Sequence, residues 1–293
     1  IEIVAGDTRW LFDREAGLLT SWKRQDEELL TRPLRPNFWR APTDNDRGNN
    51  MPNRLAVWRD AGDQWRATSV ALDDTSPACA KIVADGEIPT VPARYTLTYW
   101  CCGTGDLVVE ASLAPADDKA PELPRFGMQV QLTGAFERIA WFGRGPEETY
   151  SDRCDARVGL YDGAIADQFC VDYSEPGETG NKVDTRWIAL TGANGVGLLA
   201  TGAPRLSVSA LPFSASALEG PKHPYEIQPS DAVSLCLDLT QMGVAGDDSW
   251  GALPHAAYRI PAGPLTYRFR LRAFDAGRIP MEVVRRNPAP SVE

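Results

Sequence analysis

The sequence predicts an all-β chain built as one large antiparallel β-sandwich. Three observations carry that expectation. Apolar and polar residues alternate with period two in many short segments, each bounded by Gly, Pro, Asn or Asp. The 25 glycines and 23 prolines are spread along the chain rather than gathered in one linker, as many tight turns require. Only one segment has helical spacing.

Taken in chain order, Ile1–Phe12 reads as extended and Asp13–Gly17 (DREAG) as a hairpin turn. Arg54 to Trp65 is the one predicted helix, with Leu55, Trp58, Ala61/Gly62 and Trp65 on one face and Pro52-Asn53 at its start. Tyr95–Cys101 and Leu107–Leu113 are strands, and Pro115–Pro124 is a connection between strands. Phe126, Met128, Val130 and Leu132 alternate with Gly127, Gln129, Gln131 and Thr133. Ile139–Phe142 is a strand followed by a turn at Gly143-Arg144-Gly145-Pro146, where Pro146 removes a donor that a phosphate cradle would use. Asn194-Gly195 predicts a primed turn. Val233, Leu235, Leu237 and Leu239 form another apolar face. Leu265, Tyr267, Phe269 and Leu271 form a third, opposite a row of Arg268, Arg270 and Arg272. The whole is read as a single unit over 1–293, with 275–293 a tail of uncertain order.

Composition bounds function. The chain has 293 residues, 43% hydrophobic and 24% charged, enough for one large core. A formal charge of −10 argues against nucleic acid as a partner, and no run of eighteen apolar residues offers a membrane span. The start lacks signal-peptide features and an initiator Met, so the sequence is read as a fragment or processed product. The six cysteines, irregularly spaced and without CxxC, are expected to be buried thiols in a reducing, cytoplasmic compartment.

No convincing catalytic constellation is present. Asp44-Asn45-Asp46-Arg47-Gly48 lacks the ligands of a calcium loop and is read as a mobile Asx-rich loop. Asp247 and Asp248 are neighbours, which suits a polar turn better than the opposed carboxylates of a glycosidase. His223 lies close to Glu226, but only two histidines exist and no nucleophile motif accompanies them. Glu178, Asn181, Lys182 and Arg186, in PGETGNKVDTRW, are candidates to face a sugar, as is His223; a buried polar network is the rival reading. Trp250, in the Gly/Asp-rich GVAGDDSWG, has no apolar neighbours to bury it and is expected to be an exposed surface for stacking a sugar ring.

Six ordered motifs, WRAPTDNDRG, the Arg54–Gly62 segment, WFGRGPEETYSDR, PGETGNKVDTRW, HPYEI and QMGVAGDDSWG, resemble the C-terminal, small-chain region of glycoside hydrolase family 2 β-galactosidases of the bacterial lactose type. The resemblance runs from Ile1 to Phe274 and departs at Gly177, where relatives often carry a polar residue. It implies a supersandwich similar to galactose mutarotase. It also implies that the catalytic glutamates, with their Mg²⁺ and Na⁺, lie on a TIM barrel absent from this sequence, so that no catalytic or metal residue is expected here. Trp250 would be the stacking platform for the aglycone sugar, and Asp44, Asn45, Asp46, Arg47 and Gly48 a closing loop. The implied partners are that barrel, in cis or as a large subunit, a β-galactoside such as lactose, and further copies in a homo-oligomer. Two alternatives differ in class: a free-standing aldose epimerase using His223 with Glu226 or Glu178, and a non-catalytic sugar-binding or assembly module.

Overall fold

A computed structural model describes residues 1–117, 119–170, 172–248 and 250–286. Strands dominate it. Three strands of sequence order, β1 (Glu2–Ala5), β2 (Thr8–Phe12) and β3 (Leu19–Arg24), are joined by the Gly6-Asp7 and Asp13–Gly17 turns. Asp13 Oδ1 accepts from the Glu15 and Ala16 N–H groups, and Gly17 takes a positive φ. Next come β4 (Glu27–Glu28) and β5 (Leu30–Asn37), then the short helices α1 (Asp44–Gly48), α2 (Met51–Arg54) and α3 (Ala61–Gln64). Four meander strands follow: β6 (Arg66–Asp73), β7 (Cys79–Ile88), β8 (Ala93–Cys102) and β9 (Asp106–Pro115). The remaining strands are β10 (Arg125–Thr133), β11 (Phe136–Gly145), β12 (Arg157–Ala164), β13 (Lys182–Gly192), β14 (Val196–Leu211), β15 (Ala232–Gln241) and β16 (Leu265–Asp275). Helix α4 (Ala215–Glu219) lies between β14 and β15, and α5 (Pro280–Arg286) follows β16.

All pairings are antiparallel, and the path β1-β2-β3-β5-β10-β15-β14-β16-β9-β8-β7-β6 is continuous, so the two layers of the expected sandwich are halves of one curled sheet. Its two ends meet across the core. Phe12 on β2 packs on Tyr99 of β8 with ring centroids 4.9 Å apart, and a Cβ on Gly17 would fall 2.8 Å from that of Ala84 on β7. The side chains that drive the curl are the alternating ones: Phe126, Met128, Val130 and Leu132 of β10, Val233, Leu235 and Leu237 of β15, and Tyr267, Phe269 and Leu271 of β16 belong to one buried cluster. The arginines on the opposite face of β16 are paired: Arg268 with Glu110, and Arg270 and Arg272 with Asp106. Within the tail, α5 sets Val283 against Phe274, Leu199 and Trp187. Residues 287–293 lie outside those described.

Several expectations need correction. The predicted helix over Arg54–Trp65 is broken into α2, a 3₁₀ turn at Ala56–Trp58, and α3. Leu55, Trp58, Ala61 and Trp65 are all buried, so the spacing located core residues, but the chain must bend closely over β5. There a Cβ on Gly62 would lie 2.2 Å from the Pro36 carbonyl oxygen. Gly143-Arg144-Gly145 is not a turn but the end of β11, where the glycines admit Thr185 on one side and Trp141 and Tyr161 on the other. At Asn194-Gly195 only Gly195 has a positive φ, so the turn is not of the primed type. Finally, Cys79 and Cys102 are disulfide-bonded because β7 and β8 place them directly opposite; Cys101, Cys154, Cys170 and Cys236 remain thiols.

Candidate functional site

The Asp44–Gly48 stretch is not an irregular loop. Thr43 caps α1 by accepting from the Asp46 N–H at 3.2 Å, and Asp46 returns the bond to the Thr43 N–H at 3.0 Å. Asp46 is buried because Arg40, itself fully buried, forks onto it: Nε to Oδ2 at 3.0 Å and Nη2 to Oδ1 at 2.9 Å. The same guanidinium donates to the Met242 and Gly243 carbonyls and to Gln241 Oε1. Asn45 Nδ2 bonds the Val244 carbonyl at 2.7 Å. Thus α1 and the chain leaving β15 are fastened together.

That chain leads to Trp250, whose side chain is 82% exposed. Its presentation is local. Asp248 Oδ1 accepts from the N–H groups of Trp250, Gly251 and Ala252 at 2.9–3.0 Å, a tight Asx-type wrap. These donors, Ala252 foremost, hold the Asp248 carboxyl below the usual carboxylate range. Asp247 instead turns to His255 Nε2 at 2.8 Å, so the two aspartates diverge and do not flank a common point. Upstream, Asp152 anchors the Val244 and Ala245 N–H groups. A Cβ on Gly251 would lie 3.8 Å from the Gly48 carbonyl oxygen, which puts the tryptophan's loop beside the C-terminal end of α1.

At the other end of α1 opens a cleft of about 240 Å³, lined among others by Asp44, Asn45, Tyr150, Arg153, Tyr173, Glu175 and Glu178. Gly177 belongs to its wall, and a Cβ there would meet the Pro42 carbonyl oxygen at 2.7 Å, a close backbone approach that a side chain would disturb. Beneath the cleft, Arg125 is fully buried between Glu178 at 2.9 Å and Asp238 at 3.1 Å. One cation faces two acids, and burial pushes the Asp238 carboxyl up to about 8 against the pull of Arg125.

Of the candidate sugar-facing residues, Glu178 alone lines this cleft. Asn181 is wholly buried, its amide donating to the Thr149 carbonyl and accepting from Ser207, so it belongs to an internal network. Lys182 lies over the Trp141 ring beside a separate cavity of about 400 Å³, and burial pushes its ammonium down to about 8. Arg186 sits over Phe142 and bonds the Asp184 carbonyl. His223 is exposed and stacked on Tyr225, and the Glu226 carboxylate is occupied by the Lys222 and His223 backbone N–H groups. No opposed acid and base emerge from that pair.

The sequence reading missed Glu148, which lines two neighbouring cavities and ties down Tyr173 and Arg153 of this cleft's wall. It accepts from Thr179 Oγ1 at 2.9 Å and the Gly180 N–H at 2.7 Å, and also from Tyr173 and Arg153. Burial and its bond to Glu148 push the Tyr173 hydroxyl up to about 12. Arg40 was likewise missed. Among the described residues no group of three or more His, Cys, Asp or Glu side chains is placed to hold a metal ion, and no helix is long and apolar enough to cross a membrane.

Comparison with known proteins places this geometry in context. A family model described as β-galactosidase small chain matches residues 4–271. The chain is 37% identical over 256 residues to a β-galactosidase of Priestia megaterium, covering 86% of this chain and 24% of that protein. It is 32% identical over 271 residues to the β-galactosidase BgaC of Bifidobacterium adolescentis (90% and 26%), and 32% identical over 287 residues to a β-galactosidase of Vibrio cholerae (93% and 27%). The chain therefore spans about a quarter of the length of these relatives. In fold it is similar to galactose 1-epimerase from Lactobacillus acidophilus, with a TM-score of 0.51 and 8% identity, covering 94% of this chain and 93% of that one.

Proposed function

Since this chain belongs to the β-galactosidase small-chain family, we propose that it is the terminal domain of a β-galactosidase. Its task is to shape the sugar site of a catalytic part that it does not itself contain. The observation that carries the reading is Trp250: an indole 82% exposed, held out by the Asp248 wrap on a loop secured to α1. An exposed indole face packs on the C–H face of a pyranose. Helix α1 is one wall of that site, with Gly48 at the end that adjoins the Trp250 loop. The substrate is a β-galactoside such as lactose, and the glutamates that cleave it, with their Mg²⁺ and Na⁺, belong to the catalytic part, in the same polypeptide or as a large subunit. A homo-oligomer in the cytoplasm completes the proposal. The Cys79–Cys102 disulfide weighs against the cytoplasm, where thiols are kept reduced.

The test is Trp250→Ala in the complete enzyme. Stacking contributes about 1 kcal/mol beyond area burial, so KM for lactose and the inhibition constant for glucose should rise about fivefold or more, with kcat changed less. Unchanged inhibition by glucose would refute the platform role.

A further inference from the structure

The chain has five lysines, and Lys182 alone among them is buried. Among the described residues it makes no ion pair. Its ammonium donates to the Gly180 carbonyl at 3.1 Å and lies 5.2 Å from the centroid of the Trp141 ring. A carbonyl and a ring face ease the charge, but they do not replace the counter-ion that a buried cation ordinarily has. Burial therefore favours the neutral amine and pushes the group down to about 8. The side chain is not sealed in packing either. Together with Trp141 it lines the cavity of about 400 Å³, space enough for a small molecule. An amine released from its proton and facing such a space is a nucleophile.

The wall decides which electrophile fits. Glu147, Glu148, Asp162, Asp167 and Asp172 line the same cavity. Glu148 pairs with Arg153 and Asp162 with Arg138, so with Lys182 there are three cations for five carboxylates. An anionic reagent is repelled there, whereas a carbonyl compound without negative charge meets no such barrier. We propose that Lys182 is a covalent modification site for small aldehydes that carry no negative charge, which it holds as an imine. The Nζ lone pair adds to the carbonyl carbon, the π electrons move to the oxygen, and the nitrogen loses a proton as the oxygen gains one. The nitrogen lone pair of this carbinolamine then expels the hydroxyl, which takes up a proton and leaves as water. The iminium gives its N–H proton back, and one water has been released for each aldehyde bound. Glu148 and Glu147 both act on the ammonium from the wall; Glu148 is occupied by Thr179, Gly180, Tyr173 and Arg153, which leaves Glu147 to take and return these protons. The inference does not depend on the role of Trp250.

Incubating the full 293-residue chain with glycolaldehyde and sodium cyanoborohydride at pH 7 tests it. Hydride from cyanoborohydride reduces the imine to a stable secondary amine, which peptide mass mapping locates. Lys182 should be labelled about tenfold faster, or more, than the exposed Lys119 and Lys222, whose amines stay protonated at that pH. Glyoxylate is of similar size but anionic, and its preference for Lys182 over Lys119 should be about fivefold weaker or less. Asp167→Asn with Asp172→Asn should narrow that difference. Gly163 lines the cavity, and a Cβ there meets only the flexible Gln168 amide, at 3.3 Å. Gly163→Phe should therefore cut the labelling of Lys182 and leave that of Lys119 unchanged. Near-ultraviolet circular dichroism checks that each variant is folded, and the comparison of lysines in the parent chain needs no variant at all. Labelling of Lys182 no faster than that of Lys119, a preference for glyoxylate, or full labelling in a folded Gly163→Phe chain would each overturn the proposal.

Discussion

At the residue scale, the two features that matter most differ in how well the sequence exposes them. Trp250 was legible because its neighbours, Asp247, Asp248 and Gly251, are too polar or too small to bury an indole. Glu148 was not, because Glu-Thr-Tyr-Ser-Asp-Arg reads as a solvated turn until the chain brings Tyr173, Thr179 and Gly180 to one carboxylate. Lys182 was half legible: the sequence left it between a sugar-facing cation and a member of a buried network, and it is 2% exposed with its ammonium held down near 8, chiefly by burial. Its folded value lies below the unfolded value of 10.5, so protonation opposes folding. The charge costs stability below about pH 8, and that cost fades as pH rises from about 8 towards 10.5. Lys182→Met should therefore be more stable than the parent at pH 7 by about 1–2 kcal/mol, after allowing for the lost contact with Trp141. The advantage should shrink in thermal melts above pH 8, and an advantage that grows with pH would contradict this account.

At the element scale, period-two alternation identified β8, β9, β10, β15 and β16 because one face of each meets the core while the other meets solvent, paired charges or, at Trp100, Cys102 and Val108 of β8 and β9, a small second cluster. Alternation says nothing about pairing partners. Hence the sequence could not show that Cys79 and Cys102 face each other across a hairpin. Helix α1 was missed for a related reason. Asp-Asn-Asp-Arg-Gly is turn chemistry unless something neutralises Asp46, and nothing in the spacing of WRAPTDNDRG shows that Arg40 folds back onto it. Removing Asp46 would leave a fully buried guanidinium without its carboxylate. Asp46→Ala should cost about 3–5 kcal/mol in denaturant unfolding. A cost below about 1 kcal/mol would mean that α1 is held by its cap alone.

At the scale of the whole molecule, a single curled sheet with its ends sealed by Phe12, Tyr99, Gly17 and Ala84 explains why no linker composition is visible in the sequence. The fold class followed from pattern alone; the family followed only from ordered motifs, since alternation is shared by many unrelated β proteins. The site was half legible, because its loops are polar and loop conformation depends on partners distant in sequence. The chain corresponds to about a quarter of its relatives, and the two aspartates beside Trp250 diverge. Accordingly, the purified chain is expected to release no nitrophenol from a nitrophenyl β-galactoside, with activity appearing on addition of the catalytic part. Hydrolysis by the chain unaided would overturn the division of labour proposed here.

The reach of Arg40 has one further consequence. All its donors are spent on Asp46, Gln241, Met242 and Gly243, in elements two hundred residues apart. Arg40, with the Asn45–Val244 bond beside it, rivets α1 to the chain that leads to Trp250, so the rim cannot loosen piecemeal. If it breathes, amide protons on both sides of Arg40 must exchange with a common rate, as a single leaf swinging on one pin.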